Sequence, residues 1–301
     1  MQNYLGIDIG GSSIKYGWGN SKLGLQHYGI HPFKAKSLEQ FLSAAAAMFT
    51  TIESLHHVQD FAAIGIATAG TISKANGHLV GVNPNLPFWV DQRPDVIIPQ
   101  TFDNPVFSDN DANLMALAEA EGLKIDNLIG ITVGSGIGWG IVSEGRIFRG
   151  SHGFAGEAGH AVSVENGAEC TCGNRGCLEA YSSVDGIKRL LAQRSEHYLQ
   201  YSLPELIEKQ QQDAIVNEVI TTGSRYLARA IANAVVLLDP EAVVLGGGAM
   251  DLGLYSLETM QAEIFNMLPK AHQMGFRLFP AHFGNRAGVM GAIVLCERNL
   301  A

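Results

Sequence analysis

The sequence predicts an α/β protein built as two duplicated α/β domains, each a layered sheet-and-helix unit, with a cleft between them. Three observations predict it. The order strands, helix, strand, helix runs through residues 4–118 and begins again after Gly122. Hydrophobic residues make up 47% of the 301 residues and charged residues only 16%, so disorder is excluded and a large core can be buried. Glycine is in surplus, 35 residues where average usage would give about 21, and much of the surplus clusters beside predicted strands.

In chain order, residues 4–9 read as a buried strand, and two more strands follow near 14–18 and 25–30. Residues 38–55 are Ala-rich and apolar at helical spacing, with Ser37 placed to cap and Glu39 in the first turn. Residues 61–67 form a short strand, and residues 83–105, with Pro84, Pro87, Pro94, Pro99 and Pro105, form a loop. A short strand at Val106 and Phe107 leads to a helix starting near Asp109, Asn110 or Asp111, any of which could cap it. The second half offers strands at 127–133 and 138–143, an irregular stretch at 150–182, and a helix over 213–238 stopped by Pro240. A strand at 242–245, a helix near 256–268, a strand near 276–280 and a helix near 287–298 complete it.

The formal charge of −9 argues against a general nucleic-acid binder, which would carry a basic patch. No apolar run reaches the length of a membrane span, and the N-terminus has neither the basic nor the long apolar region of a signal peptide. The expected location is the cytoplasm. Cys170, Cys172 and Cys177 crowd together while Cys296 is remote, a poor disulfide framework and a better metal pattern.

The first glycine cluster, Gly10-Gly11-Ser12-Ser13 with Asp8 before it and Lys15 after it, lies between two predicted strands. Bare backbone there admits a phosphate, Ser12 and Lys15 supply a hydroxyl and a cation, and Asp8 is placed to hold a hydrated Mg²⁺. A plain Gly-Gly hairpin would look the same. The second cluster, Gly134-Ser135-Gly136-Ile137-Gly138-Trp139-Gly140, is followed by a strand rather than a helix, which excludes the dinucleotide-binding reading. The P-loop pattern is absent as well. Two such hairpins, one per half, suit a nucleotide, and Gly246-Gly247-Gly248 at a strand end could receive its nucleoside.

These clusters in this order resemble the actin-like ATPase (ribonuclease H-like) fold shared by sugar kinases and actin. The pattern narrows with Asp8-x-Gly10-Gly11-Ser12-x-x-Lys15, Asn110-Asp111-Ala112-Asn113, Gly156-Glu157-x-Gly159-His160 and Cys170-x-Cys172-Gly173-x-x-Gly176-Cys177-x-Glu179. Together they are similar to the ROK family of repressors and sugar kinases, over nearly the whole chain. The chain departs from the family pattern at Ser12, Ala69, Ser135 and Trp139, where Thr, Pro, Thr and Gly are usual.

The resemblance implies domains at 1–114 plus 287–301 and at 115–286, the latter with a zinc-binding loop. It implies a kinase using ATP and Mg²⁺ on the 6-hydroxyl of a hexose, most simply glucose, with an N-acetylhexosamine (GlcNAc or ManNAc) as the alternative substrate. A non-catalytic sugar-responsive regulator is a further alternative, disfavoured because the first strand begins at Tyr4 with no preceding helix-turn-helix segment. Asp111 becomes the candidate general base, although an aspartate at a helix start is also an ordinary cap. Asn83, Asn110, Asp111, Glu157, His160 and Glu179 become sugar contacts. Asp8, Gly10, Gly11, Ser12, Lys15, Gly134, Ser135, Gly136, Gly246, Gly247 and Gly248 become nucleotide contacts. His160, Cys170, Cys172 and Cys177 become a closed, structural zinc site. Cys296 is expected in the core. The partners implied are the sugar, ATP and a second copy in a homodimer, with no nucleic acid and no membrane.

Overall fold

The computed structural model describes residues 2–81, 83 and 86–301. Pro84 of the proline-rich loop lies outside the described residues. The chain divides into two compact units: Met1–Lys124 with Gly145–Ala155 and Arg286–Ala301, and Ile125–Glu144 with Gly156–Asn285.

In the first unit β1 (Tyr4–Ile9) pairs antiparallel with β2 (Ser13–Asn20), which pairs with β3 (Gly24–Pro32). After α1 (Leu38–Leu55), β4 (Ile64–Thr68) lies parallel to β1. The two-residue strands β5 (Thr71–Ile72) and β6 (Leu79–Val80) pair with each other, and β7 (Val106–Asn110) lies parallel to β4. The sheet order is β3-β2-β1-β4-β7. Strand alternation sorts its faces. Leu5, Ile7, Ile9, Ile64 and Ile66 belong to one cluster with Phe41, Met48, Phe49 and Ile52 of α1. Tyr4, Gly6 and Asp8 take the other face.

That other face carries α2 (Asp111–Leu123) and the final helix of the chain, Ala287–Leu300. The helix lies so close that a Cβ on Gly6 would overlap the Val289 carbonyl oxygen, one on Gly65 the Ala292 carbonyl, and one on Gly291 the Leu114 carbonyl. Part of the glycine surplus therefore serves helix-on-sheet packing, a use the loop-centred reading of the sequence does not contain. Cys296 is buried there with Tyr4, Ala63, Val289 and Ile293, as expected of a core residue. Gly65→Ala is expected to destabilise the protein by about 1–3 kcal/mol, because backbone must move to admit one methyl. A shift in the urea unfolding midpoint checks it, and an unchanged midpoint contradicts the close packing.

The second unit repeats the plan. β8 (Leu128–Val133) and β9 (Ile137–Ser143) form an antiparallel hairpin, and the two-residue strand β10 (Arg146–Ile147) follows in the first unit's middle segment. Then come α3 (Glu179–Ser182), α4 (Val184–Arg194), α5 (Leu203–Lys209) and α6 (Ala214–Leu238). β11 (Ala242–Gly246) lies parallel to β8, α7 (Gly248–Asp251), α8 (Leu257–Met267) and α9 (Lys270–Gln273) follow, and β12 (Leu278–Pro280) lies parallel to β11. The final helix is α10. Both units thus join a hairpin to two parallel strands, which is the duplicated α/β pattern. Ile129, Ile131, Val133 and Trp139 form the second core with Val216, Ile220, Leu227 and Ile231 of α6.

Several local expectations need correction. β4 starts at Ile64 because Val58–Asp60 is a 3₁₀ turn that places Phe61 outside the strand. The 83–105 loop contains 3₁₀ turns at Pro87–Trp89 and Pro94–Ile97, each begun by proline, whose fixed φ suits a first helical position. α4 and α5 were not anticipated, although Ser183 caps α4 and Ser202 N–H donates to Glu205 at the start of α5. The boundary expected after residue 114 falls inside α2. That helix stays whole with the first unit because α10 grips its length, and the division comes at Lys124, whose left-handed backbone ends it. The segment Gly145–Ala155 also returns to the first unit.

Candidate active site

At the first hairpin the turn between β1 and β2 is closed by Gly10 N–H donating to Ser13 O at 3.0 Å, leaving Gly11 and Ser12 exposed. Asp8 is buried and pairs with Lys15 at 3.0 Å. Burial alone would lower the Lys15 pKa, but the Asp8 carboxylate outweighs it and holds the ammonium above its ordinary value. A Cβ on Gly288, in the first turn of α10, would stand 2.7 Å from Asp8 Cγ, so the carboxylate lies against the positive end of that helix. The sequence brings Asp8, Lys15 and an open glycine turn together as expected.

The parallel strands β4 and β7 end beside each other, with Thr68 opposite Asn110. Asn110 is the residue that caps α2, its Oδ1 accepting Ala112 N–H at 2.9 Å and Asn113 N–H at 3.2 Å. Its Nδ2 donates to Gly70 O at 3.1 Å. Asn83 is used the same way, Nδ2 donating to Ala69 O at 3.2 Å and Oδ1 accepting Leu86 N–H at 3.1 Å. A carboxamide has two N–H donors, so each asparagine has one beyond these bonds. Because Asn110 caps the helix, Asp111 is not needed for that task. The half-buried Asp111 accepts Ala112 N–H at 2.9 Å on Oδ1.

Two residues that sequence reasoning missed hold this corner. Asp109 is buried; its Oδ1 accepts Asn110 N–H and Asn113 Nδ2, each at 2.8 Å, and its Oδ2 accepts Arg149 Nε at 2.6 Å. The i, i+4 spacing of Asp109 and Asn113 was a readable signal on a helix start. Arg149 stands 40 positions away and had none.

In the second unit the β8–β9 turn is closed by Gly134 N–H donating to Gly136 O at 3.0 Å. Val184 N–H donates to Gly134 O at 2.9 Å, tying the turn to the start of α4. A Cβ on Gly134 would meet open space, but one on Gly136 would stand 2.5 Å from Glu179 Oε2. Gly136 is therefore bare for a protein carboxylate. Similarly, Gly247 has a φ of +95° and presses on the Val133 backbone, and Gly246 is buried in β11, while Gly248 is exposed with open space. Only Gly248 of that trio has the bare, approachable backbone expected. Trp139 turns into the second core, which is how the hairpin accommodates it.

Glu157 is exposed, and its carbonyl accepts His160 N–H at 3.0 Å in the turn Ala158–His160. The ligand atoms of His160, Cys170, Cys172 and Cys177 all lie within 4.8 Å of one another. Cys170 Sγ to His160 Nδ1 is 3.6 Å and Cys172 Sγ to Cys177 Sγ is 3.7 Å; tetrahedral zinc would set such pairs at about 3.6 and about 3.8 Å. None of the four cysteines is in a disulfide. Burial and the neighbouring thiols push Cys177 up to about 12, a cost that a bound cation removes by displacing the protons. Gly173 and Gly176 both take positive φ, and at Gly176 a Cβ would overlap the Val164 carbonyl oxygen, so the loop closes only with glycine there. The donor set fits a closed zinc site, with four protein ligands and no position for substrate.

Known proteins resemble this chain over nearly its whole length. The chain is 32% identical to a glucokinase of Halalkalibacterium halodurans, covering 96% of this chain and 93% of that one. It is 31% identical to an N-acetylmannosamine kinase of Escherichia fergusonii, covering 97% and 98%. A ROK family glucokinase from Streptomyces griseus, solved with glucose and AMPPNP, superposes with a TM-score of 0.82 at 26% identity over 98% of this chain and 99% of that one. The fold is the actin-like ATPase fold of those glucokinase structures. The sequence patterns around Asp8, Asp111, His160 and the three clustered cysteines thus sit in the matching architecture, and a model of the ROK family matches residues 4–299: this chain belongs to the ROK family.

Proposed function

We propose that this protein is an ATP- and Mg²⁺-dependent sugar kinase that phosphorylates a hexose, glucose first among them, at the 6-hydroxyl. The observation that carries the reading is the placement of the half-buried Asp111 in the first turn of α2, at the end of β7 and directly after Asn110, whose side chain caps the helix. Phosphoryl transfer needs a carboxylate to orient the attacking hydroxyl and accept its proton, and Asp111 is that base. Asn83, Asn110, Glu157, His160 and Glu179 are the proposed sugar contacts. Glu179 already accepts two protein hydrogen bonds, and a carboxylate has about four acceptor positions, so it retains capacity for a hydroxyl.

For the nucleotide, the backbone of Gly10, Gly11 and Ser12 and the Lys15 ammonium would meet phosphate oxygens. Gly134, Ser135 and Gly136 would do so at the second hairpin, with Gly248 toward the nucleoside. Asp8 would hold Mg²⁺ through its water shell. When bound, that ion neutralises charge developing on the transferred phosphoryl group. His160, Cys170, Cys172 and Cys177 would hold zinc in a structural role, and reduced thiols of this kind accord with a cytoplasmic setting. A homodimer is part of the same proposal.

The likeness to an N-acetylmannosamine kinase favours one second reading, a 2-acetamido sugar as substrate. An ATP-coupled assay across glucose, mannose, fructose, allose, GlcNAc and ManNAc separates the two. Highest kcat/KM on glucose is expected. Highest kcat/KM on GlcNAc or ManNAc selects the second reading, and no turnover on any of the six removes both.

A further inference from the structure

Thr171 lies between two members of the metal cluster, Cys170 and Cys172, and Glu179 follows a third, Cys177, by two positions. Thr171 Oγ1 donates to Glu179 Oε1 at 3.2 Å. The other oxygen, Oε2, accepts Ile137 N–H at 3.0 Å, where the chain leaves the glycine hairpin to begin β9. A bare Gly136 makes room for this carboxylate. The next peptide group is held as closely. A Cβ on Gly159, the neighbour of the fourth cluster member His160, would stand 2.6 Å from Ile137 O. The N–H of Ile137 is thus hydrogen-bonded by one segment that carries metal-ligating side chains, and its carbonyl is packed against another.

A turn of sequence Gly-Ser-Gly has much conformational freedom to lose when it orders around a ligand. An anchor that orders it beforehand lowers the cost of binding. We infer that Glu179 is a positioning residue for the 134–136 hairpin, and that metal loading at the four-residue cluster sets nucleotide affinity through Thr171 and Glu179. The inference rests on the proposed reading of that hairpin as a nucleotide contact. It assigns the cluster an effect on the nucleotide, separate from its proposed structural role.

The test compares metal-loaded wild type, Thr171→Val, Thr171→Ser and Glu179→Gln, each titrated with MgAMPPNP by calorimetry and followed at the Ile137 amide by hydrogen exchange in NMR. Thr171→Val and Glu179→Gln are expected to bind MgAMPPNP about tenfold more weakly, the fold-change of one charge-assisted hydrogen bond, and to exchange faster at Ile137. Thr171→Ser keeps the hydroxyl and is expected to match wild type in both. Metal removal from wild type is expected to weaken MgAMPPNP to a similar extent and to add little in Thr171→Val. If the stripped protein unfolds, the contrast between the valine and serine variants in loaded protein decides. Wild-type affinity and unchanged Ile137 exchange in Thr171→Val overturn the inference. Equal losses in the serine and valine variants also overturn it. Absence of MgAMPPNP binding to loaded wild type overturns the nucleotide reading instead, and the Ile137 exchange rates then still establish or refute the anchor by themselves.

Discussion

The Asp111→Asn protein is expected to bind its sugar with near-unchanged affinity and to turn over about 10³-fold more slowly, the loss that follows removal of a positioned general base. The substitution is close to isosteric. Asparagine offers the same oxygen to Ala112 N–H, and the cap of α2 rests on Asn110, so the helix start has no reason to move. What disappears is the capacity to take a proton. A coupled assay for kcat and a calorimetric titration with the sugar make the comparison. Turnover within tenfold of wild type would sink the assignment. The mirror-image control is Asn110→Ala, which removes the cap and is expected to cost about 1 kcal/mol of stability.

The second large effect is expected at the thiol cluster. Cys177 is fully buried and has the other three ligand groups around it, so Cys177→Ser removes a donor that nothing nearby replaces. Elemental analysis is expected to fall from one zinc per chain in wild type to a small fraction in the variant. The midpoint of thermal unfolding is expected to fall on the order of 10 °C, as when about 4 kcal/mol leaves a domain of 150–250 residues. Cys296→Ser is the comparison: Cys296 is equally buried but belongs to a different core cluster, and its zinc content is expected to stay at one. A Cys177→Ser protein that retains stoichiometric zinc excludes the four-residue site.

The elements most readable from sequence were those whose signals are local. Ser37 before an Ala-rich apolar stripe foretold α1, and Pro240 marked the end of α6. The Gly-Glu-x-Gly-His and cysteine patterns foretold a set of four candidate metal ligands that the fold brings within 4.8 Å of one another. What stayed hidden depends on distant partners. Nothing beside Asp109 announces Arg149, and nothing beside Gly136 announces Glu179, the side chain for which its bare backbone makes room. Gly65 and Gly291 sit within a strand and a helix, where only the packed pair of elements explains them. Trp139 stood in the sequence only as a departure from the family pattern, because whether it faces inward or outward is decided by the pairing of β9 with β8.

The last stretch of chain, Arg286–Ala301, belongs to the unit that the first stretch begins. The ribosome therefore releases the sheet of β1, β4 and β7 long before it makes the helix that covers one face. During that interval Tyr4, Ala63 and the glycine rows at Gly6 and Gly65 lack Val289, Ile293 and Cys296. The unit synthesised in between has its own continuous core and needs no such wait. Nascent chains are then expected to acquire protease resistance in the middle of the sequence first and at the beginning last, reversing the usual order in which domains mature during synthesis.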